Sequence, residues 1–108
     1  MNQLTEAEEQ VMIKLWKLGA ATTKEVLEEY KSDKPAYNTV STIIRILEKK
    51  KFVKHRKKGK KFIYLPKVSK EEYCQNLVRK MALDYFENDY KEMVSFVNSA
   101  RPIESIIE

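Results

Sequence analysis

Apolar residues recur along this chain at helical spacing in several segments and at strand spacing in one. Thr5 and Glu8 have the T-x-x-E spacing of a capping box, and Val11, Met12, Leu15 and Trp16 follow on one face of a helix that stops near Gly19. Thr22 and Glu25 repeat the device before Val26, Leu27 and Tyr30, so a second helix starts after a very short link. The segment KSDKP reads as a loop, with Pro35 at or just before the start of a third helix. That helix, AYNTVSTIIRILEKK, carries Val40, Ile43, Ile44 and Leu47 on one face. Its other face holds Asn38, Ser41, Thr42 and Arg45, small or polar and without acids.

The period then changes. FVKHRK and KKFIYL are two short β-prone runs around Lys58-Gly59, the pattern of a hairpin closed before Pro66. Val53 and His55 share a face of the first strand, and Phe62 and Tyr64 share one of the second. Phe62, Ile63 and Tyr64 are expected to pin the hairpin to the helices. Ser69 and Glu72 open a long helix with a stripe of Cys74, Leu77, Val78, Met81, Ala82, Tyr85 and Phe86. Tyr90, Met93, Val94 and Val97 make a second, shorter stripe, and Ile103, Ile106 and Ile107 in the tail suggest one more turn. A stripe of that length needs a cover.

Charge sharpens this picture. The chain carries a net charge of +5, but residues 45–61 alone hold ten Lys or Arg and one acid, Glu48. The segments on either side are slightly acidic. Dense, localised cations interleaved with aromatics suit phosphate neutralisation better than a solvated face. The third helix agrees: Ser, Thr and Asn are mediocre helix formers but good hydrogen-bonding partners for bases and phosphates.

Composition excludes several classes. With 43% apolar and 34% charged residues the chain is a soluble globular protein and too apolar for extended disorder. A single cysteine forms no internal disulfide, and with one histidine it gives no metal-site spacing. No cofactor, no metal and no catalysis are expected, because no nucleophile–base pair, carboxylate dyad or phosphate loop can be assembled. His55, between Lys54 and Arg56, reads as a strand residue near phosphate. The opening MNQLTEAEEQ lacks a basic-then-apolar leader and no apolar run is long enough to span a membrane, so a cytoplasmic location is expected. Membrane-surface binding wants a basic amphipathic helix, whereas the charge here lies mainly on a hairpin.

Three short helices and a basic hairpin are the order of a winged helix-turn-helix. The expected fold is therefore mainly α with a small β-hairpin: a winged helix-turn-helix over residues 1–68 and a helical dimerisation region over 69–108. Asn38, Thr39, Ser41, Thr42 and Arg45 would meet bases. Lys57, Lys58, Lys60 and Lys61, with Thr23 and Lys24 at the start of the second helix, would meet phosphates of double-stranded DNA. Leu77, Val78, Met81, Tyr85, Phe86, Tyr90, Met93, Val94 and Val97 would form the homodimer seam.

The segments LTEAEEQVMIKLW (4–16), AYNTVSTIIRILEKKKFV (36–53) and KGKKFIYLPKVSKEEY (58–73) resemble the penicillinase repressor family, the BlaI/MecI type with its copper-responsive CopY relatives. The resemblance implies a dimeric bacterial repressor that binds a palindromic operator, with a winged helix on each half-site and C-terminal helices joining the subunits. It also implies release by a sensor-activated protease that cuts an Asn-Phe bond in the dimerisation arm. The matching residues here are Ser95 and Phe96, with serine in place of asparagine. Other departures are Lys51, where glycine is usual, and Pro35, where an aromatic is common. No cysteine follows Cys74, so the copper motif of the CopY type is missing. The alternative is a winged-helix module that binds protein, which would show an eroded basic wing and an apolar or acidic third helix.

Overall fold

A computed structural model describes residues 3–100. The expected turn at Ile103, Ile106 and Ile107 lies outside the described residues. The element order is α1 (Glu6–Leu18), α2 (Thr23–Glu28), α3 (Tyr37–Lys49), β1 (Val53–Lys58), β2 (Lys61–Pro66), α4 (Lys70–Phe86) and α5 (Tyr90–Ser99). The chain divides into two compact units, residues 1–73 and 74–108.

In the first unit the apolar stripes of α1, α2 and α3 meet. Val11, Met12, Leu15, Val26, Val40, Ile44 and Leu47 are fully buried there, with Phe52 and Val53 beside them. Each such side chain removed from water contributes roughly 1.5–3 kcal/mol before entropy is counted. Both expected capping boxes form at the starts of α1 and α2. Gly19 ends α1 at φ 80°, where its amide donates to the Leu15 carbonyl at 2.8 Å. The first turn of α4 belongs with this unit because Tyr73 is buried against Trp16 and Phe52, at centroid distances of 5.5 and 6.0 Å. The Tyr73 hydroxyl donates to Glu9 at 2.7 Å, and the Trp16 indole N–H donates to the Val68 carbonyl at 2.9 Å.

The end of α3 is built as a Schellman cap. The Phe52 amide donates to the Leu47 carbonyl at 2.9 Å and the Lys51 amide to the Glu48 carbonyl at 3.0 Å. Phe52 and Leu47 bury the accompanying apolar contact. Lys51 occupies the left-handed position at φ 67°, which explains why glycine suits this place.

The hairpin pairs Val53 with Pro66 through to Lys58 with Lys61, antiparallel. Gly59 takes φ 63° at the first central position of the two-residue turn, the place where a type II′ turn requires glycine. The hairpin is docked mainly by Tyr64, which exchanges two backbone hydrogen bonds with Ala21 at 2.8 and 3.0 Å. Phe62 departs from its expected role: it is 47% exposed and packs on His55.

In the second unit, α4 and α5 are joined by Glu87 and Asn88, both at positive φ, and Asp89 caps α5 by accepting from the Glu92 amide at 3.1 Å. Ala82 and Met93 are buried, and Phe86 packs on Phe96 at 5.5 Å. Met93, expected in the homodimer seam, is buried within this single chain.

Glu8 ties the helices together. Its carboxylate accepts from the Thr5 amide at 2.8 Å and from the Lys50 ammonium at 2.8 and 3.0 Å, bringing the start of α1 to the end of α3. Burial pushes the carboxyl's pKa up, but the hydrogen bonds from Lys50 and Thr5 and the Lys50 charge outweigh it and hold the pKa below 4.5. A depressed carboxylate stabilises the fold above its unfolded pKa and loses that contribution as pH falls through the folded value. Glu8→Gln is expected to cost about 1–3 kcal/mol at neutral pH. It should also remove part of the stability lost below about pH 4.5. Urea denaturation at pH 7 and at pH 3.5 checks both: the gap between variant and unmutated protein should narrow in acid.

Candidate nucleic-acid interface

The core stripe of α3 decides what the helix shows to solvent. With Val40, Ile44 and Leu47 turned inward, Asn38, Thr39, Thr42 and Arg45 are exposed and Ser41 is half-buried. The Arg45 guanidinium donates to the Ser41 hydroxyl at 3.4 Å, one turn back along the helix. Ala36 offers no side-chain cap and the first turn of α3 contains no acid. The amides at the head of this helix thus keep a positive end directed outward. Tyr37, not among the residues expected to meet bases, is 52% exposed beside Asn38.

The register sorts the wing cations. Cross-strand partners share a face, so Lys57 lies with His55, Phe62 and Tyr64, on the side that turns inward at Tyr64 and Val53. Lys54, Arg56, Lys58 and Lys61 lie on the opposite face, and Lys60 sits in the turn. All six are exposed. Lys54 and Arg56 were not singled out from the sequence, although strand alternation from Lys58 would have found them. Lys24 is exposed at the start of α2, whereas Thr23 is buried. Thr23, expected at a phosphate surface, has little exposed area in this chain.

The electrostatics are one-sided. Glu25 lies near Lys61, and its carboxyl is held below the ordinary range first by its hydrogen bond from the Thr22 amide and also by that lysine. Glu48, in the last turn of α3, is bonded to His55 of β1. Tyr64 has its phenol pushed up, first by burial and then by Glu48, with Arg45 acting the other way. The Glu48–His55 bond joins the end of α3 to β1. Among the described residues no group of three or more His, Cys, Asp or Glu could hold a metal ion, and no helix is long and apolar enough to cross a membrane.

The model of the penicillinase repressor family matches residues 4–105. The chain belongs to that family. A penicillinase repressor of Bacillus licheniformis is 29% identical over 100 residues, covering 81% of this chain and 78% of the relative. The solution structure of the DNA-binding domain of the repressor BlaI superposes with a TM-score of 0.58 at 33% identity, covering 66% of this chain and 88% of that one. The Bacillus licheniformis BlaI monomer in complex with the blaP half-operator gives a TM-score of 0.57 at 33% identity, with 67% and 89% covered. A possible transcriptional regulator for arsenical resistance shares the fold at 17% identity, TM-score 0.57, over 90% of this chain and 91% of its own. The family member described here is thus mainly helical with a winged helix-turn-helix, as its sequence pattern predicts.

Proposed function

We propose that this chain is a transcriptional repressor that binds a double-stranded DNA operator sequence-specifically, as a homodimer on a palindrome. The observation that carries the reading is the exposed polar face of Asn38, Thr39, Thr42 and Arg45 on α3 beside six exposed wing cations. A helix offering Asn and Arg side chains can make bidentate contacts to adenine and guanine in the major groove, while lysines on an adjoining hairpin meet phosphates. The complex of the related BlaI with its half-operator supports the same assignment. A protein-binding module would instead show an apolar or acidic α3 face. Catalysis has no constellation to support it, and a protein of this kind works in the cytoplasm, where its DNA is.

The same reading extends to the second unit. Leu77, Val78, Met81, Tyr85, Tyr90, Val94 and Val97 are exposed, an apolar surface that a second copy would cover. Phe86 is half-buried against Phe96 and would lie at the edge of that seam. Ser95 and Phe96, the candidate cleavage point for a sensor protease, sit inside α5. Proteolysis there requires the helix to open first, and the cut would remove the ring that packs on Phe86. Two weakly joined half-site readers would then lose the advantage of bivalence, about 10²–10⁴-fold.

The DNA-binding reading is tested by equilibrium binding to the host's promoter DNA across salt concentrations. With about 6–10 phosphates contacted by a dimer, log affinity should fall against log salt with a slope of roughly −5 to −9. Lys58→Ala with Lys60→Ala should flatten that slope on every sequence. Asn38→Ala or Arg45→Ala should cost about 1–3 kcal/mol on the operator and relax preference at particular base pairs. A slope near zero rejects the reading.

Leu77→Asp with Met81→Asp should yield folded monomers with weakened operator binding, measured by light scattering and circular dichroism. An unmutated protein that is monomeric at tens of micromolar removes the dimer. For the cleavage route, mass spectrometry of protein from induced cells should find a chain ending at Ser95, and an intact chain throughout derepression rejects it.

A further inference from the structure

The chain contains one histidine, and the fold sets it in the joint between α3 and the wing. His55 Nδ1 bonds Glu48 Oε2, and the imidazole stands edge-on to Phe62 at 4.9 Å and to Tyr64 at 6.0 Å. Glu48 is the single acid among residues 45–61. An acid in the middle of a phosphate-binding surface opposes binding through its charge, so its presence there calls for a physical reason.

The groups around the imidazole are few. From α3 it faces Glu48, with Arg45 one turn earlier; from β2 it faces the phenol of Tyr64; on its own strand face Lys57 follows. Lys54 and Arg56 point to the other side of the hairpin. Histidine is the side-chain type whose charge ordinarily changes between pH 5 and 8. The His55 and Glu48 side chains are 42% and 33% exposed, open enough for protons to exchange with solvent.

Resting on the DNA-binding reading above, we propose that Glu48 and His55 are a positioning pair that couples operator binding to proton uptake. A neutral imidazole can hold Glu48 through an Nδ1–H hydrogen bond, but it leaves the carboxylate's charge facing the phosphates. A protonated imidazole keeps the bond, cancels that charge and holds the wing on α3 by an ion pair as well. Approaching phosphates favour the charged form, and by linkage the charged form favours the phosphates. Operator affinity rises as pH falls.

The experiment uses the full chain and a duplex recovered by selecting host genomic fragments on it, at fixed ionic strength between pH 5.5 and 8. For the unmutated protein the dissociation constant should fall by about threefold to tenfold per subunit from the alkaline to the acid end. Calorimetry in buffers of different ionisation heat should register net proton uptake on binding. His55→Gln, which keeps a hydrogen-bonding group without a titrating one, should lose both the pH dependence and the uptake. Glu48→Gln should bind more tightly than the unmutated protein at pH 8 and show a shallower profile. A residue that merely props the wing would shift affinity equally at every pH. The same pH profile in His55→Gln as in the unmutated protein overturns the pairing, as does pH-independent binding by the unmutated chain. Absence of binding to any duplex at any pH fails the DNA-binding reading first and the coupling with it, so the two failures are told apart.

Discussion

Two backbone hydrogen bonds between Ala21 and Tyr64 fix the geometry on which the polar and cationic surface of α3 and the hairpin depends. They attach β2 to the short link between α1 and α2, so the hairpin becomes part of the helical unit instead of a free ribbon. An isolated two-stranded hairpin is marginal in water, and this one gains its stability from that link and from burial of Val53 and Tyr64. The core beneath it sets the angle of α3. Because both are anchored to the same helices, the polar face of α3 and the cations of the wing stay in register with each other.

The end of α3 shows how closely packing and function are joined. The Schellman cap turns the chain sharply from helix to strand, carrying Phe52 and Val53 back into the core and sending the cationic run outward. Lys51 holds the left-handed position, where a side chain costs conformational energy that glycine would avoid. In return the chain places one more exposed cation at the junction of α3 and the wing. Lys50, its neighbour, turns the other way to meet Glu8. Adjacent residues in one basic run therefore serve opposite ends: one ammonium secures the fold and the others remain available at the surface.

The second unit follows a different logic. α4 and α5 leave most of their large apolar side chains exposed while burying Ala82 and Met93. Leu83 and Tyr85 are more open to solvent than the stripe residues Leu77, Val78 and Met81. Such a pair of helices has little core of its own among the described residues. The cysteine of this region, Cys74, is exposed on α4 and belongs to the same open surface.

Much of this architecture was legible in the chain itself. Period and capping signals are local: Thr5 with Glu8, Thr22 with Glu25, and Gly59 in its turn act on residues within one helical turn or one hairpin, so their pattern survives in one dimension. The polar face of α3 followed from its apolar face, since a helix that buries Val40, Ile44 and Leu47 has no choice about what it exposes. Tertiary contacts decided the rest. Phe62 and Tyr64 share a strand face in the sequence, yet Tyr64 is buried where β2 is bridged to Ala21 and Phe62, nearer the turn, is exposed. Thr23 carries a phosphate-binding residue type but is buried, beside Val26 on the covered side of α2. The partnership of Glu48 with His55, and of Glu8 with Lys50, joins residues whose meeting depends on the angle between packed elements. Sequence spacing encodes which face of an element is apolar; how far that face is covered, and which charges meet across it, is set by three-dimensional packing.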